Sequence, residues 1–525
     1  MATSIPEETC YRIEEHPGLG RVLVATRDIF EGETILDEEP LVVFGDLVDP
    51  LWTREIKKWA NRRGSDYAPR TICKWCAGYL STTSDVKQIW ESWFLHSTTG
   101  PLDNLFHELA SILCELPGEN INPAELARAL VSCSINAHSY QKDHYALFKI
   151  GSMAIHSCFP NSTYKSSSGK CTMRTVAMVR AGERLSTSYL DWETLCWPTK
   201  LRRKYLFTTK NFHCNCERCV ALDTTRALPC PSSGCSGYVY CLQRNVNDAP
   251  LWKCDSGNVA ECRFAQVDLD GPFEATLSLE DFEIFRMEEE LLEGLWRKEM
   301  KGTRNLFIKS LRPDSITTLL RELEAMVGTR HWAYADTLFQ SVEVLYEYGT
   351  QNRDESAVIM FFTHQFAFFE WAQTVFVDDS LSSVKVSPHC TKAIQTINTF
   401  YEYVNANEPA LSWNPSIGPL LPRAIELVHT IEPSVRWEWG EDDVDAVKMR
   451  QKMLNYCAQC GMHGNLKCGG CQRTVYCSKA WLAFTLTLIP TITITIILTI
   501  NITITITITI TIITTITITI TITQT

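Results

Sequence analysis

The spacing of apolar residues along the chain predicts both strands and helices in its first half. Between residues 19 and 44, the short apolar runs RVLVA and LVVF flank a turn at Glu31-Gly32-Glu33, which is typical of paired strands. The same texture returns at residues 147–190, in CTMRTVAMV and LSTSYL. Residues 102–131 instead repeat apolar side chains at helical spacing, with a break at Pro117-Gly118. Strands and helices are therefore expected to alternate here.

After residue 270 the pattern becomes helical. Asp314 is expected to cap a helix that carries Leu320 and Leu323, and Gly349 is expected to end the next one. Residues 357–377 are apolar but contain five interrupting polar positions, which favours a core helix over a membrane span: Thr363, His364, Gln365, Glu370 and Gln373. A further helix is expected over Ile394, Ile397, Tyr401 and Val404. Such helix pairs predict a TPR-like all-α region, although no clean 34-residue repeat is present.

The end of the chain has a different pattern. Residues 482–525 carry no charge and mostly alternate Thr and Ile. A period of two and β-branched side chains favour a strand over a helix. We interpret this low-complexity tail as an artefact, a translated tandem repeat. A membrane anchor is the alternative, because the segment is long and apolar enough for one.

Composition narrows the function classes. The chain has 525 residues and a net charge of −12, enough length for about three or four domains. The acidic balance argues against binding nucleic acid or an anionic membrane through bulk charge. The basic runs at residues 57–58, 62–63 and 202–204 are interpreted as solvated faces, with a nucleic-acid groove as the alternative. Residues 1–10 show no secretion signal, so we expect a cytoplasmic or nuclear protein.

In a reducing compartment, clustered cysteines are more typical of zinc sites than of disulfides, and this chain has 22 cysteines. Cys214, Cys216 and Cys219 can supply three thiolates to one Zn²⁺, and a fourth ligand must come from elsewhere. Cys73 and Cys76 form an isolated pair, which we interpret as a remnant or a structural pair, with a working metal site as the alternative. A more loosely spaced group could form a further zinc site or none: Cys230, Cys235, Cys254 and Cys262. Cys241 lies between them and is not assigned to the group.

Several motifs in order resemble one family. IHSCFPN, residues 155–161, is similar to the NHSCxPN motif of SET-domain lysine methyltransferases. AGERL followed by SYLD, residues 181–191, resembles the strand that carries their catalytic tyrosine. GLGRVLVATRDIFEGETIL resembles the opening strands, and SINAHSY resembles the end of the helical insert. The resemblance covers roughly residues 16–220, and the helical region beyond suits the SET-and-MYND branch, including its arthropod-expanded members.

The resemblance implies an S-adenosylmethionine-dependent protein-lysine N-methyltransferase that acts on a histone or another lysine-bearing protein. It implies that Tyr189 is catalytic and that Cys158 completes the zinc site of Cys214, Cys216 and Cys219. It also implies a set of cofactor-binding residues: Gly20, Arg21, Asn136, Ile155, His156 and Phe212. No membrane partner and no direct nucleic-acid partner are expected.

Four departures from the family pattern weaken the enzyme hypothesis. Ile155 replaces an asparagine whose amide helps to seat the cofactor, and Val22 replaces the second glycine of the first loop. Lys210 stands where the branch has an aromatic wall of the lysine channel, and His138 stands where it has a phenylalanine. The alternative is therefore a catalytically weak or inactive SET-fold scaffold or transcriptional regulator that acts through protein–protein contacts.

A second cysteine motif resembles a truncated MYND zinc finger. Its spacing is C-x2-C-x7-C-x2-C-x5-C, and the pattern stops at about Lys479 after five of the eight ligands: Cys457, Cys460, Cys468, Cys471 and Cys477. An intact finger of this type would bind proline-containing peptides.

The resulting fold class is α+β and multidomain. The predicted parts are N-terminal SET strands (1–70), an insert with the CxxC pair and helices (71–134), the SET core (135–205), a zinc-bound post-SET region (206–265), an all-α domain (270–440), the truncated finger (455–480) and the tail (482–525).

Overall fold

The computed structural model describes residues 9–45, 49–63, 69–93, 100–116, 121–140, 144–167, 169–256, 262–267, 278–300, 303–376, 420, 423, 466–467 and 475–476. One compact unit comprises residues 1–397 and 427–446, and a second comprises 398–426 and 447–525. The predicted helix over residues 394–404, the cysteines of the finger and the Thr/Ile tail lie outside the described residues.

The first two N-terminal strands form a hairpin, and the next two are the outer strands of two other small sheets. β1 (Tyr11–His16) pairs antiparallel with β2 (Gly20–Ala25), and β3 (Thr34–Glu38) and β4 (Val42–Phe44) follow. Gly20 has a φ of 72°, a conformation that favours glycine at the start of β2. The apolar run of β2 is buried as its sequence predicts, and Leu23 and Ala25 join a core with residues from distant parts of the chain: Ile29, Ile35, Leu36, Met153, Met173, Val179 and Leu185.

Five described helices follow: α1 (Pro50–Arg63), α2 (Pro69–Ser81), α3 (Ser84–Trp93), α4 (Pro101–Cys114) and α5 (Pro123–Asn136). The helical insert therefore begins earlier than the predicted 71–134, inside the segment predicted as strands. The Asn122 side chain accepts a hydrogen bond from the Ala124 amide and so caps α5, with Pro123 in the first turn. Cys73 and Cys76 lie on α2 inside the apolar core of the insert. Burial raises the pKa of both thiols, which suits a structural pair.

The chain then returns to small sheets. β5 (His138–Tyr140), β6 (His144–Leu147), β7 (Ile155–His156), β8 (Ser162–Ser167), β9 (Lys170–Thr175) and β10 (Ser186–Thr187) follow in order. They interleave with the N-terminal strands in the sheets β4-β6-β5 and β3-β9-β8, while β7 pairs parallel with β10. Backbone hydrogen bonds therefore join β3 and β4 to strands more than a hundred residues away. The parallel pairing of β7 with β10 places the ends of these two strands side by side.

A cysteine-rich section comes next. Three helices, α6 (Trp192–Leu195), α7 (Thr199–Lys210) and α8 (Glu217–Val220), lead into a sheet of β11 (Asp223–Pro229), β12 (Tyr238–Leu242) and β13 (Leu251–Cys254). This sheet is antiparallel in the order β11-β12-β13. One face of it packs against the helices that follow.

Those helices are α9 (Leu279–Met300), α10 (Arg304–Lys309), α11 (Pro313–Val327), α12 (Trp332–Asn352) and α13 (Glu355–Phe376). Two predicted helix ends are wrong. Asp314 lies inside the first turn of α11, and Gly349 lies inside α12, which ends at Arg353 with a φ of 53°. A Cβ on Gly349 would lie 2.7 Å from Val358, so this glycine permits close approach of α13 rather than a helix end.

The mixed α+β class is confirmed, while the other predicted domain boundaries and the MYND and TPR-like assignments remain predictions. Among the described residues, none of the helices is long and apolar enough to cross a membrane. In the second unit, β14 (Leu466–Lys467) pairs antiparallel with β15 (Val475–Tyr476), on either side of two of the predicted finger ligands.

Candidate functional site

Tyr189 follows β10 and is held at both ends. Its backbone N–H donates to Nδ1 of His156 at 3.0 Å, and its hydroxyl donates to the Ala154 carbonyl at 2.7 Å. Burial raises the pKa of this tyrosine, so the phenol stays protonated and neutral. The hydroxyl is therefore a fixed hydrogen-bond donor rather than a base.

Three aromatic rings meet at this point, and we call them the ring trio: His156, Tyr189 and Phe212. The ring centroids of His156 lie 5.3 Å from Tyr189 and 5.8 Å from Phe212. Phe212 stands edge-on to Tyr189, with centroids 6.2 Å apart and planes at 90°. The parallel pairing of β7 with β10 produces this meeting, because it places His156 opposite Thr187.

Asn161 locks the two segments together. Its side-chain oxygen accepts from the Ser186 amide at 2.8 Å, and its amide nitrogen donates to the Arg184 carbonyl at 2.8 Å. The Ile155 amide also donates to the Leu185 carbonyl, at 3.2 Å. Residues 155–161 are thus bound through backbone groups and one asparagine to the segment that carries Tyr189.

Four cysteines lie behind the ring trio, and we call them the Cys158 cluster: Cys158, Cys214, Cys216 and Cys219. Their sulfurs all lie within 4.8 Å of one another. The sulfurs of Cys158 and Cys219 are 3.5 Å apart, and the Cys158 amide donates to the sulfur of Cys216. Four thiolates around one Zn²⁺ at about 2.3 Å would lie about 3.8 Å from one another, so the arrangement fits a tetrahedral zinc site.

Arg202 supplies the compensating charge for this cluster. Its guanidinium is fully buried and donates to the sulfurs of Cys158 at 3.3 Å and Cys219 at 3.5 Å. The buried carboxylate of Asp223 is one charge partner of Arg202, and four thiolates around Zn²⁺ would add a net negative charge that the guanidinium also offsets. The environment therefore matches the metal-bound form of the cluster.

His156 belongs to the ring trio and also contacts the Cys158 cluster. Because Nδ1 of His156 accepts from the Tyr189 amide, the proton of the neutral ring lies on Nε2, which is 3.4 Å from the sulfur of Cys158. Burial lowers the pKa of His156 to about 4, which keeps the ring neutral. A single imidazole thus connects Tyr189 to the Cys158 cluster.

Lys210, the last residue of α7, points toward the ring trio. Its ammonium lies 5.9 Å from the centroid of the Tyr189 ring and donates to the carbonyls of Ser134 and Ile135. Burial lowers the pKa of Lys210 to about 8. The sequence left open whether this cation faces outward, and in the structure it faces the tyrosine.

His138 is suited to the place of an aromatic residue. Burial lowers its pKa to about 4, with a further contribution from nearby Lys210, so it is a neutral ring. It lies edge-on to Tyr164, with centroids 4.7 Å apart. This replacement of phenylalanine therefore keeps the aromatic character of the position.

The remaining predicted cofactor residues lie on β1–β2 and at the end of α5. Arg21 is opposite Glu15 in the hairpin, and Val22 is buried beside them. A Cβ on Gly20 would meet no atom within 4 Å, so the backbone there is open to a ligand. The Asn136 side chain donates to the Ser132 carbonyl one turn back on α5.

A sulfonium cofactor such as S-adenosylmethionine fits part of this arrangement. The open backbone at Gly20 and the Phe212 ring suit close packing against a ligand, and the neutral rings avoid repelling its positive sulfur. Ile155 contributes no side-chain hydrogen bond, because its side chain has no polar atom. The neutral rings thus suit a positive sulfur, whereas the Lys210 ammonium beside the Tyr189 ring opposes it.

Two residues at this site were misread from the sequence. The run Arg202-Arg203-Lys204 was interpreted as a solvated face, but Arg202 and Arg203 are 0% and 2% exposed. Arg203 donates to the carbonyls of Cys214 at 2.8 Å and Gln243 at 2.7 Å, which fixes the loop of the cluster. A basic run carries no signal that distinguishes such buried donors from surface charges. Lys57, Lys58 and Arg62 on α1 are exposed as expected.

The interleaved small sheets and the motif IHSCFPN resemble those of SET-domain proteins. The chain is similar to the SET domain-containing protein SmydA-8 of Drosophila melanogaster. It is 32% identical to isoform B over 116 residues and 30% identical to isoform A over 115 residues. A putative SET-domain protein, L678 of Acanthamoeba polyphaga mimivirus, is 36% identical over 104 residues. These matches confirm the family resemblance.

The extent of the matches is limited. Each covers 20–21% of this chain, and the chain spans 25% of isoform B, 24% of isoform A and 40% of the viral protein. No family model matches the chain. Among solved structures, the SET domain of LSMT bound to lysine and AdoHcy aligns over 79% of this chain and 94% of its own, at 13% identity and a TM-score of 0.28. Rubisco LSMT bound to AdoMet aligns over 72% and 90%, at 14% identity and a TM-score of 0.28. TM-scores of this size do not establish a shared fold.

Proposed function

We propose that this protein is an S-adenosylmethionine-dependent protein-lysine methyltransferase whose catalytic residue is Tyr189. The observation that supports this most is the ring trio, in which Tyr189, His156 and Phe212 converge from three chain segments and connect to the Cys158 cluster. The residues proposed to hold the cofactor are Gly20, Arg21, Asn136, Ile155, His156 and Phe212. When bound, it would supply an electrophilic methyl group on a positive sulfur.

The residues of this chain would then act by positioning. A substrate lysine that enters the ring trio would be driven toward its uncharged amine, because burial and the Lys210 cation both disfavour the ammonium. The amine would receive the methyl group from the cofactor held by those residues, whose sulfur would leave as a neutral thioether while the positive charge passes to nitrogen. The fixed Tyr189 hydroxyl would orient the amine for this in-line displacement.

A zinc ion in the Cys158 cluster would support the site without taking part in the reaction. It would tie residue 158 to residues 214–219 and so hold Phe212 and His156 in place. The substrate class that we propose is a protein lysine side chain, on a histone or another protein. We also propose a cytoplasmic or nuclear location for the protein.

Lys210 favours a second candidate function, a SET-fold scaffold with weak or no activity. Its cation faces the Tyr189 ring, where it would repel both a lysine ammonium and the positive sulfur of the cofactor. A binding role through protein–protein contacts does not require that space. The two functions differ in one observable, the transfer of methyl groups by the full-length chain.

The test is methyl transfer from labelled S-adenosylmethionine to a histone and peptide mixture, with Tyr189→Phe as the matched variant. We expect transfer by the wild type and a loss of a hundredfold or more in Tyr189→Phe, a size typical of a lost orienting group. Cofactor affinity should change little, because the ring remains. Equal transfer by both chains would contradict the role of Tyr189, and transfer by neither would favour the scaffold.

A further inference from the structure

A second group of four cysteines lies outside the proposed active site, and we call it the Cys230 cluster: Cys230, Cys235, Cys254 and Cys262. Cys230 directly follows β11, Cys235 precedes β12, and Cys254 ends β13. All four sulfurs lie within 4.8 Å of one another. The sequence left this group open because its spacing is loose, but the fold brings the residues together at one end of the sheet.

The distances between the sulfurs match a metal rather than disulfides. The sulfurs are 3.5 Å apart between Cys230 and Cys262 and 3.7 Å apart between Cys235 and Cys254. Tetrahedral thiolates around Zn²⁺ at about 2.3 Å would be about 3.8 Å apart. A disulfide would require about 2.0 Å. The four sulfurs thus surround a volume of the size that one zinc ion occupies.

The backbone around the cluster is arranged to stabilise thiolates. The Gly237 amide donates to the sulfur of Cys235 at 3.4 Å, and the Ser256 amide donates to the sulfur of Cys254 at 3.3 Å. Amide donors of this kind favour the charged sulfur that a metal requires. The Cys158 cluster repeats the same two-residue spacing, since the Cys216 amide donates to the sulfur of Cys214. Both clusters therefore share a local geometry.

Gly237 shows how closely the loop is packed. A Cβ at this position would lie 2.8 Å from the sulfur of Cys254, so a side chain there would displace the cluster. The fifth cysteine of the region, Cys241, is separate. It is buried on β12 in the apolar core, and burial raises its pKa to about 12, as for an ordinary core thiol. The cluster therefore has four members and no competing fifth one.

We propose that the Cys230 cluster binds a structural Zn²⁺ through four thiolates. The ion would fix residues 262–267 to the sheet, where the Cys254 amide donates to the Phe264 carbonyl at 3.1 Å. Phe264 meets Phe285 of α9 edge-on, with ring centroids 5.9 Å apart, and Trp252 of β13 stacks on the same Phe285 at 4.4 Å. The ion thus supports the surface on which α9 packs. This inference does not depend on methyl transfer.

The first test follows cysteine alkylation by iodoacetamide, residue by residue, in the full-length chain loaded with zinc. Cys230 and Cys235 are partly exposed, so as free thiols they should react quickly. We expect all four cysteines to react at least tenfold more slowly in the zinc-loaded chain than after treatment with a chelator. Equal rates in the two states, or peptides cross-linked between Cys230 and Cys262, would overturn the proposal.

The second test measures zinc per chain by mass spectrometry. The double variant Cys230→Ser/Cys262→Ser should hold one zinc fewer than the wild type, whereas the control Cys241→Ala should hold the same amount. Wild-type zinc content in the double variant would overturn the proposal. If the double variant does not fold, the alkylation of the wild-type chain decides.

Discussion

The two cysteine clusters have nearly the same geometry but connect different parts of the molecule. The Cys158 cluster spans 61 positions, and one of its sulfurs contacts His156 of the ring trio. The Cys230 cluster spans 32 positions within one sheet and its loops, and it lies against the helical region. The first is part of the proposed active site, and the second supports the docking of α9. Loss of the first should therefore remove both activity and stability, whereas loss of the second should affect mainly stability.

The largest effect is expected from Cys158→Ser. Cys158 is the one proposed ligand of its cluster that lies on the segment after β7, and the substitution removes it. We expect the loss of one zinc and a fall in the free energy of unfolding of at least about 3 kcal/mol, because metal binding and folding are coupled. Methyl transfer should disappear with it. Denaturant unfolding and zinc analysis of the full-length chain measure both effects.

Cys171→Ala is the matched control for that variant. Cys171 is also buried, on β9, but belongs to neither cluster. It should lose about 1–2 kcal/mol from the truncated side chain and keep all its zinc. Similar losses of zinc in the two variants would contradict the assignment of the Cys158 cluster.

A comparable loss of stability, without loss of zinc, is expected at the buried ion pair beside the Cys230 cluster. Glu288 of α9 accepts from Arg226 of β11 at 2.8 Å, and His331 lies 3.2 Å away. Glu288→Gln would remove the buried one of the two carboxylates that pair with Arg226 and leave only Glu289, which costs about 3 kcal/mol. Chemical denaturation should show this loss, and an unchanged stability would mean that the sheet and α9 do not depend on the pair.

The same pair gives an acid dependence. Burial alone would raise the pKa of Glu288, but Arg226 and His331 outweigh it and lower the pKa from 4.5 to about 2. A carboxylate with a lowered pKa stabilises the fold fully above pH 4.5, and this contribution is lost as the pH falls toward 2. Unfolding curves of the wild type should weaken over that range, and those of Glu288→Gln should weaken less. If the stability of the two proteins fell equally with pH, the lowered pKa of Glu288 would be contradicted.

The smallest effect is expected at Lys210, in the ring region of the first cluster. Removal of the cation in Lys210→Met should raise methyl transfer about tenfold near pH 7, because like charges near the transferring methyl are unfavourable. Lys210→Arg is the control that keeps the charge and should show no gain. Initial rates at several pH values measure the effect.

The sign of the pH dependence follows from the lowered pKa of Lys210. With a pKa of about 8, the wild-type cation loses its proton as the pH rises through 8, while Lys210→Arg stays charged. The advantage of Lys210→Met over the wild type should therefore be largest below pH 8 and shrink above it. His138 and Tyr189, which face Lys210, stay neutral over this range. A constant ratio across the range would contradict the role of the cation.

Some of this arrangement can be read from the sequence because it depends on local pattern. The apolar run of β2 and the alternation around residues 170–190 predict strands, and the spacing of Cys214, Cys216 and Cys219 predicts a metal site. The fourth cysteine of that cluster came only from resemblance, because the pairing of β7 with β10 sets its place and no spacing does.

Other features depend on tertiary structure and leave no local signal. Arg202 looks like part of a surface run until α7 packs against the cluster. Cys230 and Cys262 become neighbours only through the hairpins of β11–β13. Cys241 lies within β12 opposite Trp252 and is not one of the four grouped sulfurs. The direction of Lys210 likewise follows from its contacts with the end of α5.

The most direct test of the central claim, that the ring trio forms a cofactor site, is calorimetric titration of the full-length chain with S-adenosylmethionine. We predict saturable binding of one cofactor per chain, retained in Tyr189→Phe and lost in Cys158→Ser. No binding by the wild-type chain at millimolar cofactor would contradict the claim.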